Sequence, residues 1–209
     1  MNLNKKNYLW IGLTGGIASG KSSVSHELQR WPRVAVIDAD QIAKDLTEVG
    51  TVSYQKIINS FGDEILLKDQ SLNRTLLAKI VFSDKKKLEI LESILHPQVQ
   101  AEVAQLKQGF INQGYEYIFY DVPLLFEKKL EDQFDLVVSV LANPRLQIQR
   151  MIMFRGYTKS QSEERLQNQL DNEFKQKKSN FVIFNEGSKS ELSIKVNDLM
   201  KFLDKRLQT

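Results

Sequence analysis

An α/β fold, with a parallel sheet flanked by helices in three layers, is what the sequence predicts, and three observations predict it. Apolar runs of four to six residues alternate with longer segments of helical periodicity along the 209 residues. The runs are continuously apolar, as strands buried on both faces must be. Each run ends in a polar or glycine-containing cluster, and in open parallel sheets ligands gather at the carboxyl ends of the strands.

The first strand is expected over Tyr8-Leu9-Trp10-Ile11-Gly12-Leu13, a short run with aromatic and β-branched content. After a glycine-rich stretch, Lys21 to Arg30 has no breaker and spaces Val24 and Leu28 for a helix. Val34-Ala35-Val36-Ile37 predicts a second strand ending at Asp38-Ala39-Asp40, with a helix following through Ile42, Ala43 and Leu46. Residues 52–114 read as mostly helical. Leu76, Leu77, Ile80 and Val81 repeat at three and four residues, as do Leu88, Leu91, Ile94 and Leu95. Lys85-Lys86-Lys87 reads as a solvated helix start. Pro97 is expected to open a new helix, because its missing N–H costs nothing in a first turn. Tyr117-Ile118-Phe119-Tyr120 predicts a strand ending at Asp121-Val122-Pro123, and Leu136-Val137-Val138-Ser139-Val140 one ending near Asn143-Pro144. Phe181-Val182-Ile183-Phe184 predicts the last, ending at Asn185-Glu186-Gly187. Leu192, Val196, Leu199, Met200 and Leu203 share one face of a terminal helix and are expected in the core. Neither repeats nor low-complexity segments interrupt this order, so smaller domains would be insertions into one core.

Composition narrows the partners. The formal net charge of +3 is too small to argue for nucleic acid and is compatible with an anionic small molecule. The absence of cysteine excludes disulfides, thiolate zinc sites and cysteine nucleophiles, and fits a reducing compartment. No apolar run approaches the roughly 20 residues that span a bilayer. The opening Met1-Asn2-Leu3-Asn4-Lys5-Lys6 lacks a following signal-peptide core. A cytoplasmic protein without a membrane or nucleic-acid partner is expected, acting as a monomer or weak homo-oligomer.

The chemistry starts at Gly15-Gly16-Ile17-Ala18-Ser19-Gly20-Lys21-Ser22, a complete match to G-x-x-x-x-G-K-[ST] between a strand and a helix, the context a P-loop requires. Gly15, Gly16 and Gly20 let the backbone curl, so that N–H groups of the stretch through Ala18 and Ser19 point at phosphate oxygens. The helix beginning near Lys21 adds its positive end. Lys21 is expected to bridge the terminal phosphates of ATP, the Ser22 hydroxyl to coordinate Mg²⁺, and Ser23 to touch the α-phosphate. The acceptor hydroxyl needs a carboxylate to take its proton. Asp38 and Asp40 end the second strand, and in extended chain such a pair shares a face. Asp40 is the best placed; Asp38 also suits a helix N-cap. Asp121 ends the third strand and could hold Mg²⁺ directly or through water. Which of the three is the base stays open on these grounds.

These residues, in this order, resemble the dephospho-coenzyme A kinases almost end to end. Gly12 to Ser22 is similar to that family's opening, with Ala18 where glycine is usual, and Val36-Ile37-Asp38-Ala39-Asp40 to its "IDAD" element. Leu72-Asn73-Arg74 with Leu77 and Val81-Phe82, Leu95-His96-Pro97, and Val122-Pro123-Leu124-Leu125-Phe126-Glu127 carry the rest. The resemblance implies a P-loop nucleotide-binding core (8–50, 115–144 and 180–209), a helical acceptor domain (51–114) and a helical lid (145–179). It implies transfer of the ATP γ-phosphate to the 3′-hydroxyl of the ribose of dephospho-CoA, giving CoA and ADP. By the same resemblance Asp40 is the base. Thr14, Asp38, Arg74, His96, Pro123 and Leu124 face the acceptor, Asn185 lies near the adenine, and Arg150 and Arg155 of the lid act in catalysis. Two departures stand out: Arg150 and Arg155 are five residues apart where the family has four, and Asn180 replaces an aspartate. The P-loop alone also admits a nucleoside or nucleotide kinase. From another class, it admits a nucleotide-dependent binding switch, although the Asp-x-x-Gly and Asn-Lys-x-Asp signatures of GTPases are missing.

Overall fold

Strand formation follows the apolar runs closely. In the computed structural model, which describes residues 6–208, β1 spans Leu9–Gly15, β2 Val34–Asp38, β3 Tyr117–Asp121, β4 Leu136–Leu141 and β5 Phe181–Phe184. The opening Met1 to Lys5, apart from Lys6 the whole of the segment read for a signal peptide, lies outside the described residues. The strands form one sheet in the order β2-β3-β1-β4-β5. β1 is parallel to β3 on one side and to β4 on the other, and β4 is parallel to β5. The register sets Leu13 opposite Asp121 and Gly15 opposite Val140, so the carboxyl ends of β1, β3 and β4 come level.

The helices are α1 (Lys21–Leu28), α2 (Ala39–Asp45), α3 (Val52–Phe61), α4 (Arg74–Ser83), α5 (Lys85–Asn112), α6 (Pro144–Arg155), α7 (Lys159–Gln167), α8 (Asn172–Lys178) and α9 (Lys189–Gln208). Two compact units result: residues 38–108 form one, and the chain on either side of them the other.

In the sheet-bearing unit, side-chain alternation divides β1 between two apolar clusters. Ile11 and Leu13 join Val138, Val140, Val24 and Leu28 and the α9 residues Val196, Leu199 and Leu203. Each such burial contributes about 1.5–3 kcal/mol. On the other face Trp10 stacks on Tyr120 and Phe134 at ring separations of 5.6 and 5.7 Å, beside the buried Val122, Leu125 and Phe126. The five α9 residues expected in the core are all buried.

Tyr117 is buried at the start of β3 and its hydroxyl donates to Asp204 Oδ1 of α9 at 2.5 Å. Burial pushes its phenol above the ordinary value, and the hydrogen bond to Asp204 and that residue's charge push further. The unfolded chain releases this proton near pH 10, whereas the folded chain still holds it there. The contribution is therefore complete below about pH 10 and is lost as pH rises beyond it. Denaturant midpoints should fall more steeply between about pH 10 and pH 12 in the parent than in Tyr117→Phe; equal slopes would refute this.

In the unit of residues 38–108, Tyr54, Ile57, Ile65, Leu72, Leu77 and Val81 form the core, with Leu88, Leu91, Ile94 and Leu95 of α5 packed against it. The expected helix start at Pro97 is not there: Pro97 lies inside the 28-residue α5. Proline deletes one intrahelical hydrogen bond. The apolar face that begins at Leu88 holds the turns before it, and the buried Val103 follows after it. The helix start predicted at Lys85 is present, capped by Asp84, whose Oδ1 accepts from the N–H groups of Lys86 at 2.9 Å and Lys87 at 3.4 Å.

Candidate active site

The phosphate loop leaves β1 at Gly15 and enters α1 at Lys21. Its curl needs two left-handed residues, Ala18 at φ 56° and Gly20 at φ 91°. Gly20 also lies against the Asn185 side chain, where no Cβ fits. Ala18 accepts a conformation that glycine would adopt without strain. The Ser19 N–H is already given to Gly16 O at 3.1 Å, and the Ser19 side chain is fully buried, so Ser19 acts through its carbonyl. The first N–H groups of α1 have no helical carbonyl to bond and form its electropositive end. Ser22 and Ser23 are exposed in that first turn.

Lys21 does not stand alone. Its Nζ forms an ion pair with Asp121 Oδ1, and Asp121 Oδ2 accepts from the Ser25 hydroxyl at 2.8 Å. Asp121 is only 3% exposed. A strand end, the loop's lysine and one α1 hydroxyl thus share a buried carboxylate. The donors here are oxygens, the Ser22 hydroxyl and Asp121, and no cluster of three or more His, Cys, Asp or Glu side chains forms among the described residues. That suits Mg²⁺, which takes one or two protein oxygens and fills its shell with water and substrate phosphate.

Four side chains from much later in the sequence close on the loop. Arg150 donates to the carbonyls of Ala18 at 3.3 Å, Ser19 at 3.2 Å and Asn185 at 2.9 Å. Asn185 Nδ2 donates to Ser19 O at 2.9 Å. Gln169 and Gln147 hold the two backbone groups of Ile17. Gln147, three residues before Arg150, shares its face of α6. Ser25, Gln147 and Gln169 were not assigned roles from sequence, although Gln169 matches the family's spacing. The i,i+3 pairing of Gln147 with Arg150 was the signal available.

The other expected residues divide. Thr14 is fully buried and its hydroxyl donates to Pro123 O at 3.1 Å. Leu124 is exposed in the turn that follows. Arg155 is exposed at the last position of α6 and bonds none of the loop residues.

In the unit of residues 38–108, the chain turns at Asp38, so the shared-face argument for Asp38 and Asp40 does not hold. Asp38 caps α2, its Oδ1 accepting from the N–H groups of Asp40 at 2.9 Å and Gln41 at 3.0 Å. Asp40 lies exposed in the first turn of α2, its carboxylate without a hydrogen bond or ion pair among the described residues. Arg74 Nη2 donates to Lys44 O at 3.1 Å and lies 3.6 Å from Glu48 Oε1. His96 is exposed on α5, its Nε2 3.8 Å from Glu92 Oε1.

Comparison with known proteins adds the chemistry these contacts serve. The profile of one family, described as dephospho-CoA kinase, matches residues 9–191. The dephospho-CoA kinase of Listeria monocytogenes serovar 1/2a is 40% identical over 178 residues, 85% of this chain and 88% of that protein. The crystal structure of TT1252 from Thermus thermophilus superposes with a TM-score of 0.78 at 28% identity, covering 97% of this chain and 99% of that one. The dephospho-CoA kinase of Campylobacter jejuni gives a TM-score of 0.68 at 25% identity, over 94% of this chain and 97% of that one.

Proposed function

The chain belongs to the dephospho-CoA kinase family, and on that premise we propose how its residues divide the reaction. It is an ATP-dependent kinase that phosphorylates dephospho-CoA to CoA, with Mg²⁺ as the usual companion of ATP. The two other readings that a P-loop alone allows, a nucleotide kinase and a binding switch, give way to it.

The observation that carries the assignment is how the three carboxylates are engaged. Asp38 Oδ1 is committed to two N–H groups of α2, and Asp121 to Lys21 and Ser25, while the exposed Asp40 carboxylate is uncommitted. A general base needs a lone pair open to the substrate. Asp40 therefore takes the proton of the ribose 3′-hydroxyl as that oxygen attacks the γ-phosphorus. The bond from that phosphorus to the β–γ bridging oxygen breaks, and ADP leaves with the electron pair. Lys21 moves from Asp121 onto the terminal phosphates. Ser22 and Asp121 would hold Mg²⁺, which would neutralise phosphate charge there.

Arg150 is spent on three carbonyls, so we assign it to shaping the loop and the Asn185 turn beside the nucleoside. Arg155 is left to meet the transferring phosphoryl group. Thr14 holds the Pro123 turn from within and does not itself touch the acceptor. Arg74, His96, Pro123 and Leu124 serve the acceptor, bound by residues 51–114, and residues 145–179 act as the lid that keeps water out. A cytoplasmic monomer or weak homo-oligomer is the corresponding reading of its setting. No helix among the described residues is long and apolar enough to cross a membrane.

The deciding assay is CoA formation from dephospho-CoA and Mg-ATP by the purified chain, followed by chromatography. Formation of CoA and ADP in equal amounts is expected. ADP release without CoA would refute the reading.

A further inference from the structure

Ile17 stands in the middle of the phosphate loop, and side chains take both of its backbone groups. Its N–H donates to Gln169 Oε1 at 2.9 Å, and its carbonyl accepts from Gln147 Nε2 at 2.6 Å. The two glutamines come from separate parts of the segment proposed as the lid: Gln147 from the start of α6, Gln169 from just beyond α7. A primary amide carries the same donor and acceptor as a peptide, so the pair does for one loop residue what a neighbouring strand does for a residue in a sheet.

We infer that Gln147 and Gln169 are positioning residues of the phosphoryl transfer, clamping the two peptide units that flank the Ile17 Cα so that the N–H groups after them face the triphosphate. Three further observations support this. Glycines precede Ile17 and a left-handed residue follows it, so the loop's own sequence leaves those two peptide units free to rotate. Gly16 is bare where the clamp closes: a Cβ there would come 2.7 Å from Gln147 Nε2 and 3.5 Å from Gln169 Oε1. Finally, the chain at Gln169 is itself pinned. The N–H of Leu170 donates to Glu127 Oε1 at 3.1 Å, and the same oxygen lies 3.0 Å from Nζ of the fully buried Lys175. A buried ion pair adds little to stability but fixes geometry, and here it sets the residue next to the clamp.

The inference rests on the reading that this loop holds ATP. Gln169→Leu and Gln147→Leu each remove one half of the clamp. Each should lower kcat about ten-fold and raise the KM for ATP, with the KM for dephospho-CoA unchanged. Because the two halves hold adjacent peptide units joined at one Cα, the double variant should lose little more than the worse single variant, not the product of about 100-fold. Gln149→Leu, an exposed position on the same helix, is the control and should behave as the parent. Loss of folding alone would move neither the split between the two KM values nor the cycle. If Gln147→Leu does not fold, Gln147→Met and Gln169→Leu provide the cycle. Parental kcat and ATP KM in either single variant, or losses that multiply, would overturn the clamp. A parent that makes no CoA would overturn the functional reading instead. ADP affinity by calorimetry would still decide the clamp, being about ten-fold weaker in each glutamine variant if it holds and unchanged if it does not.

Discussion

Lys21→Ala is expected to abolish CoA formation, with a loss of at least about 1,000-fold in kcat. Two effects combine. On the proposed reading the lysine is the mobile charge of the loop, bridging the phosphates whose negative charge must be met as the γ-phosphoryl group departs. Among the described residues it is also the cation paired with Asp121, a buried carboxylate. Without it Asp121 keeps one hydroxyl donor, Ser25, and the folded chain should lose about 1–3 kcal/mol. The two roles can be separated. Asp121→Asn placed on Lys21→Ala removes the stranded charge and should restore much of the stability in urea titrations, but none of the turnover. Near-parental CoA formation by Lys21→Ala would contradict the phosphate role outright.

Asp40→Asn should lower kcat by about 100- to 10,000-fold while ATP binding, read by calorimetry, stays at the parental value. The side chain is exposed and caps nothing. Its only structural service is a negative charge in the first turn of α2, so the stability change should remain below about 1 kcal/mol. Asp38→Asn is the informative partner. Asparagine caps a helix as well as aspartate does, so that variant keeps α2 in place and asks only whether the Asp38 charge is needed. Parental turnover in Asp40→Asn, with a large loss in Asp38→Asn, would move the base to Asp38.

The fold was legible because its signals are local. Runs such as Leu136 to Val140 are apolar over their whole length, and the loop from Gly15 to Ser22 writes its turn, its helix start and its lysine into eight adjacent residues. Pro97 misled because first-turn preference is a local rule, whereas the turns before it are held by α5 residues packed on Ile57, Leu77 and Val81. The pair Asp38 and Asp40 misled for a related reason: capping by Asp38 ends the strand two residues before Asp40, where a shared face would require it to reach. What the sequence could not reveal was side chain to backbone contact at long range. Gln147 bonds a carbonyl 130 residues away and Gln169 an N–H 152 residues away. Spacing marks both glutamines, Gln147 three residues before Arg150 and Gln169 at the family's place, but no spacing names the backbone group that an amide bonds. Arg150 was expected in the lid, and nothing in the sequence pointed to its three carbonyl partners.

Those long separations bear on how the protein is made. The ribosome delivers the phosphate loop well before the side chains that restrain it, Gln147 coming 130 residues after Ile17 and Asn185 166 residues after Ser19. At about 5–20 residues per second, the loop waits roughly ten to thirty seconds for them. A nascent chain arrested before Asn185 carries the whole motif but not the Asn185 amide that bonds Ser19. The loop is thus restrained only after residues far downstream of it have been made, although its signature precedes them.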